Sequence, residues 1–522
     1  MKKAKQYAAL IVALVMVFTL FVGNGTAFAA GNVLDNGRLE KFTIGMANDP
    51  QELAPWNPNN QGKNLVWHQI YECLFDNDGA EYVPILAKGY TVVDPTTVDV
   101  EIYDYIQDSE GNPVTADDVV YSYQVLVDSG YAIKYGIYDS IEKTGDYTVR
   151  FHFKEDPFVA IGSLEFIWGG TAIFTKAAYE AGNFAIAPVG TGPYKVASYQ
   201  SGSKLVLEAN ENYWQTDELT ADTHKRTVQT VEYDIITEAA SQTVALNTGS
   251  IEYSNSFDMA SLADFEANPN FTVKQSDGNF VYSLLANCYE GGLMANEDLR
   301  KAVYYAIDNT MIAAAVTGYN PAYGAGTNIF ADYDPAWETE ENYMTVYDVD
   351  LAKEYAAKAG YNGEEITIIA MNDEDIKNMA TICKALLDMA GFNVTLNIGD
   401  LNSIQTISNQ NTGWDLYLMY CASGGFCISL SQAFFDDTIN GDDMTLGNFT
   451  DEELRAAYNL CNTMEGNNKE NMDKLREIWI GKGYLDPLVV NVNYSIYSNA
   501  LTEPCYDNNL NFVPGGSTYA GQ

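Results

Sequence analysis

Gly111-Asn112-Pro113-Val114-Thr115-Ala116-Asp117-Asp118-Val119-Val120-Tyr121-Ser122 is a change of backbone state written in sequence. Asn112-Pro113-Val114 leads into Thr115-x-x-Asp118, a threonine followed three residues later by an acid. That spacing lets the two side chains satisfy N–H groups at a helix start. Val119 to Val127 continue as the helix. Just upstream, Thr96 to Ile106 alternates β-type residues, so the unit reads strand, turn, helix.

The same alternation extends in both directions. Lys41–Met46 reads as a strand, followed by a polar loop over residues 48–64 rich in Asn and Pro, then a helix over Asn64–Cys73. Asp76-Asn77-Asp78-Gly79 is a turn between extended segments. It lacks the spaced acids and distal Glu of a calcium loop. Thr148–Phe153, Lys204–Ala209 and Thr230–Ile236 read as strands. Leu299, Ala302, Val303, Ala306 and Ile307 recur at helical spacing. Leu351–Ala359 is a helix closed by Gly360, and Ile376–Ala390 is another ended by Gly391. Glu365–Ala370 and Asn393–Ile398 are strands beside them. Strands alternating with helices predict sheets covered by helices, an α/β protein. No tandem repeat or low-complexity segment interrupts the pattern.

The N-terminus sets the expected compartment. Lys2, Lys3 and Lys5 precede an apolar run, Ala8–Val22, and the triplet Ala27-Phe28-Ala29. This is the form of a signal peptide, with cleavage expected before Ala30; the run is short for a spanning helix, which needs about 20 residues. No cysteine stands near that site, so no lipid tether is expected.

The chain has 522 residues and a formal net charge of −43. Removing the leader's three lysines from the 28 basic residues leaves 25 against 71 acids, a net of −46. Nucleic acid is excluded as a partner, because binding phosphates needs clustered Lys and Arg. Such a charge favours solubility outside the cell. The seven cysteines are an odd number in an exported chain, so at least one is free or bonded to another molecule. Cys383 lies on an apolar stripe with Ile376, Met379, Leu386 and Leu387, which predicts a core role. Cys421 and Cys427 are near enough for a local disulfide, and their pairing stays open.

The ordered motifs resemble the family 5 extracellular solute-binding proteins, the group that holds the oligopeptide- and dipeptide-binding subunits of ABC importers. The residue 111–122 stretch carries the resemblance, with Val83-Pro84-Ile85-Leu86-Ala87-Lys88, Gly190-Thr191-Gly192-Pro193-Tyr194-Lys195 and Asn210-Glu211-Asn212-Tyr213-Trp214. Asn287, Leu299-Arg300-Lys301-Ala302, Ala306-Ile307-Asp308 and Asp350–Tyr361 complete it. These residues have structural readings of their own. Thr115 and Asp118 cap a helix, Gly190 and Gly192 supply backbone freedom in a tight turn, and Arg300 and Asp308 hold structure.

The resemblance implies a two-lobed periplasmic-binding-protein-like fold hinged by two crossovers near Asp277–Tyr282 and Leu485–Tyr494. Lobe I would comprise residues 30–75, 187–275 and 490–522, with an inserted subdomain at 76–186; lobe II would comprise 276–489. It also implies a peptide or small-molecule ligand in the cleft, ABC permease subunits as partners at the membrane, and a monomer without cofactor or metal. An oligosaccharide or another neutral solute is the alternative cargo. By the same resemblance the cleft is lined by Trp56, Asn59 and Gln61, by Tyr131 and Tyr135, and by Tyr420, Cys421, Ser423 and Gly424.

Two departures bear on the ligand. Peptide-binding members place an ammonium-binding aspartate where this chain reaches Gly424. Dipeptide-type members carry a carboxylate-binding arginine where it reads Met371-Asn372-Asp373-Glu374-Asp375. Free dipeptides should therefore bind poorly.

An enzyme is the weaker reading. His68, His152 and His224 are the only histidines. There is no H-E-x-x-H, P-loop or G-x-S-x-G pattern. With 71 carboxylates, a pair at hydrolase spacing carries no information.

Overall fold

The computed structural model describes residues 32–56, 64–77, 82–129, 137–154, 171–216, 219–322, 346–422, 446–461, 463, 466, 468–507 and 511–522. Asn59, Gln61, Tyr131, Tyr135, Ser423 and Gly424 lie outside them, as do the leader, Cys427 and the Cys421 side chain.

The strands in chain order are β1 (Leu39–Met46), β2 (Phe75–Asn77), β3 (Tyr82–Pro84), β4 (Ala87–Asp94), β5 (Thr97–Ile102), β6 (Tyr138–Gly145) and β7 (Thr148–Phe153). They continue with β8 (Tyr194–Gln200), β9 (Lys204–Ala209), β10 (Val228–Ile235), β11 (Tyr253–Ser254), β12 (Phe271–Ala286) and β13 (Tyr319–Pro321). The last are β14 (Glu365–Met371), β15 (Asn393–Gly399), β16 (Leu416–Ala422), β17 (Leu485–Ser498), β18 (Leu501–Glu503) and β19 (Thr518–Tyr519). The predicted strands fall within one or two residues of these at most ends. The predicted strand over Thr96–Ile106 is shorter, and the helix over Asn64–Cys73 ends at Ile70.

Eleven strands share one mixed sheet, in the order β15-β14-β16-β12-β17-β11-β1-β10-β9-β8, with β13 on β17. β14, β15 and β16 run parallel, while β12 is antiparallel to both β16 and β17. On the other side β1 runs parallel to β10 and β11. The separate sheet β4-β5-β7-β6 is antiparallel. Its β5 and β7 alternate, with Val98, Val100 and Ile102 and Val149, Phe151 and Phe153 buried. Helix Ala116–Asp128 covers that face with Val119, Tyr123 and Leu126. Asp118 caps the helix as expected, its carboxylate accepting from the Thr115 N–H and Oγ1, each at 2.9 Å.

The apolar residues fall into separate cores. One draws only on residues between Leu284 and Val489. A second joins β1, β9 and β10 to Tyr497 and the C-terminal Phe512 and Tyr519. A third fills the β4–β7 unit and takes in Tyr213 and Trp214. Within the first, Ile376, Met379, Cys383, Leu386 and Leu387 are buried along helix Glu374–Ala390, which gives Cys383 its predicted core position. Gly360 and Gly391 end their helices at φ 75° and 103°, where side-chain-bearing residues are strained.

The reading of Gly190 and Gly192 needs correction. Neither adopts positive φ. A Cβ on Gly190 would lie 2.1 Å from the Ile70 carbonyl oxygen, and one on Gly192 2.6 Å from that of Gln69. Close backbone approach is what demands glycine there. The Gly192 N–H donates to Ile70 O across it, at 3.0 Å.

Candidate functional site

β12 and β17 are 16 and 14 residues long, against a usual five or six. Their length lets them run from one core to the other. Phe271–Asp277 pairs with Val492–Ser498, and Val281–Leu285 pairs with Leu485–Val490. Between these stretches Gly278, Asn279 and Phe280 oppose Asn491 alone, so the ladder is broken at the middle. Asn491 fills the gap, its Oδ1 accepting from the Phe280 N–H at 2.9 Å. The fit is tight: a Cβ on Gly278 would lie 2.3 Å from the Asn491 amide. A ladder with unpaired residues bends more readily than a regular one.

Beside this break stands a wall of aromatic rings. Tyr282 on β12 pairs directly with Tyr420 on β16, with ring centroids 5.6 Å apart. Phe280 meets Tyr420 edge-on at 5.5 Å, and Tyr319 on β13 meets Tyr282 edge-on at 5.1 Å. Phe280 and Tyr420 remain 42% and 44% exposed. The Tyr319 hydroxyl donates to the Asp375 carboxylate at 3.0 Å.

Asp375 is placed by β14. That strand ends at Met371, Asp373 caps the following helix through the N–H groups of Asp375 and Ile376, and Asp375 is the helix's second residue. Burial, with the Asp373 and Asp375 charges, holds the Tyr282 hydroxyl above its ordinary range. The Tyr319 hydroxyl is raised further by burial, Tyr282 and Asp375. Among the described residues no lysine or arginine is ion-paired with Asp375. The wall thus lies at the carboxyl ends of parallel β14 and β16, the edge where open α/β sheets hold ligands.

Of the residues expected to bind ligand, Tyr420 stands in this wall, and the Cys421 backbone continues its strand. Trp56 is elsewhere: its ring packs on Phe174, Tyr179 and Phe184 at 5.3–5.9 Å. Phe280, Tyr282, Tyr319 and Asp375 were not singled out. Phe280 and Tyr282 carried a signal, since they fall in the expected crossover. Tyr319 carried none, because β13 is a three-residue strand attached to a partner 168–172 positions further on.

Two other polar features are structural. A 340 Å³ cavity lined by Asn287, Glu290, Thr367, Asn411 and Asp415 opens past the far end of β12, about 13 Å along the strand from Tyr282. Asn287 there donates to the Asn411 and Trp414 carbonyls and accepts from Asn448. In the other half, buried Glu72 accepts from the Tyr213 O–H at 2.5 Å and Trp214 Nε1–H at 2.6 Å. Desolvation dominates, and its carboxyl is pushed up to about 7. Buried Arg300 donates to the carbonyls of Met294, Ala295, Lys482 and Gly483, as its structural reading predicted. Asp308 caps helix Asn309–Ala315. Among the described residues no cluster of His, Cys, Asp and Glu could hold a metal.

Two α/β halves joined through β12 and β17, with ligand-accessible rings at the join, define a two-lobed binding protein of the periplasmic-binding-protein fold. The sequence profile of the bacterial extracellular solute-binding proteins, family 5 Middle, matches residues 81–427, and the chain belongs to that family. It is 25% identical over 403 residues to the oligopeptide-binding protein AppA of Bacillus subtilis, covering 70% of this chain and 69% of that protein. It is 26% identical over 361 residues to the nickel-binding protein NikA of Staphylococcus aureus, covering 66% and 67%. Among solved structures, HbpA2 from Haemophilus parasuis superposes with a TM-score of 0.77 at 20% identity, over 92% of this chain and all of that one.

Proposed function

We propose that this protein is the extracytoplasmic substrate-binding subunit of an ABC importer and captures a peptide or similar small solute between closing lobes. The observation that carries this reading is the exposed aromatic wall beside a broken, two-strand crossover. Rings left bare at a bend are ones a ligand covers when the bend closes. The family's other members, named for oligopeptide and nickel, support the class and leave the cargo open.

The division of the lobes expected from sequence belongs to this proposal: residues 30–75, 187–275 and 490–522, with the inserted 76–186, against 276–489. The core buried between Leu284 and Val489 supports the boundary between the lobes, whereas Ala172, Phe174, Ala178 and Phe184 of the inserted stretch pack in the core of β1, β9 and β10. The ligand contacts expected from sequence at Trp56, Asn59, Gln61, Tyr131, Tyr135, Cys421, Ser423 and Gly424 belong to this reading. Export by the leader, a monomeric state, and capture without turnover belong to the same reading. No described helix is long and apolar enough to cross a membrane.

Native mass spectrometry of the purified exported protein tests it. A bound small solute is expected, whose removal lowers the thermal midpoint and whose return restores it. Turnover of mixed peptides or oligosaccharides by the pure protein would overturn the reading in favour of a hydrolase.

A further inference from the structure

The wall beside the crossover has a chemical bias. Its exposed faces are π-systems, which attract cations. Its one carboxylate within hydrogen-bond reach of a ring hydroxyl is Asp375, 3.0 Å from the Tyr319 oxygen. Tyr319 stands edge-on to Tyr282, which in turn contacts Tyr420, so the carboxylate and the bare rings are one connected surface. Asp373 adds a second negative charge two residues before it, its Oδ1 committed to the cap. Helix starts attract anions, but here the first turn is already filled by Glu374 and Asp375. A ligand carboxylate at this wall would meet only like charge.

We propose that the Phe280–Tyr282–Tyr420–Tyr319–Asp375 wall recognises a cationic group of the solute, an ammonium or guanidinium. The group lies against the tyrosine faces and donates to the Asp375 oxygen lone pairs that Tyr319 leaves free. This rests on the solute-binding reading above and makes it specific. One carboxylate oxygen accepts from Tyr319, which fixes its orientation, and a charge-assisted contact to an oriented carboxylate discriminates strongly.

The probe is a pool of arginine-free pentapeptides, each with one lysine, compared with the same pool after acetylation of every amine. Calorimetry on the ligand-stripped exported protein should show the free-amine pool binding about tenfold or more tightly than the acetylated pool. Asp375→Asn should bring the two pools level, whereas Tyr319→Phe, which keeps the carboxylate but frees it from its orienting hydrogen bond, should narrow the preference without abolishing it. Thermal midpoints without peptide confirm that both variants are folded. Equal binding of both pools by the wild type overturns the cation assignment and leaves the solute-binding function standing. A preference that survives in folded Asp375→Asn overturns the role of this wall. No binding of either pool overturns the inference and the peptide reading together.

Discussion

Single residues in this protein matter mostly through what surrounds them. Gly192 is required because its Cβ would sit 2.6–2.8 Å from the backbone of Gln69 and Ile70. Gly192→Ala must displace backbone, at a cost of about 1–3 kcal/mol. A lowered thermal midpoint with unchanged ligand stoichiometry is the expected result. Glu72 gives a pH signature. Its carboxyl rises from an ordinary 4.5 to about 7 through burial. The folded state therefore binds this proton more tightly than the unfolded one. Stability from this group is full below pH 4.5 and is lost as pH rises through 7, by on the order of 3 kcal/mol. Glu72→Gln keeps an acceptor for Trp214 and cannot ionise. The gap in midpoint between variant and wild type should shift in the variant's favour between pH 5 and 7.5. Half-buried His68, raised to about 9 by Asp76 and Asp507 against the pull of desolvation, loses stability between 6.5 and 9 in both proteins. His224, lowered to about 4 by burial, loses it only as pH falls below 6.5. His224 Nε2 lies 3.9 Å from Glu72 Oε1 but stays neutral in the fold above pH 5, so a gap that does not move with pH between 5 and 7.5 would show that Glu72 is ionised throughout.

At the scale of elements, helices and strands were readable from local chemistry. Thr115-x-x-Asp118 started its helix, Gly360 and Gly391 ended theirs, and the alternation in Thr148–Phe153 defined β7 to the residue. What local chemistry did not show is where an element fails. The break between Asp277 and Val281 arises from register against β17, more than 200 positions away. Gly278→Ala should push the Asn491 amide off the Phe280 N–H and cost about 1–2 kcal/mol. Asn491→Ala removes the obstructing amide, so in that background Gly278→Ala should cost little. The double-mutant cycle is read by thermal midpoint and ligand affinity, and additive effects would show that the two residues are not coupled there.

For the whole molecule, the crossover and the bare wall imply an open and a closed state. A ligand closes the lobes only by the extra affinity it has for the closed one. Small-angle scattering should show a smaller radius of gyration when the co-purified solute is bound than after it is stripped. An unchanged radius with demonstrated tight binding would place capture in a rigid cleft.

The sequence by itself determined the α/β class, the order of elements, the caps and the family, because each depends on residues within a dozen positions of one another or on motifs in fixed order. It also pointed to the crossover and to Tyr420. Only the tertiary structure decided the wall. Phe280, Tyr282, Tyr319 and Asp375 come from three elements spread over 96 positions, and Tyr420 from a fourth. Strand pairing brings them together, and such pairing is set by burial of the whole sheet, which no local pattern encodes.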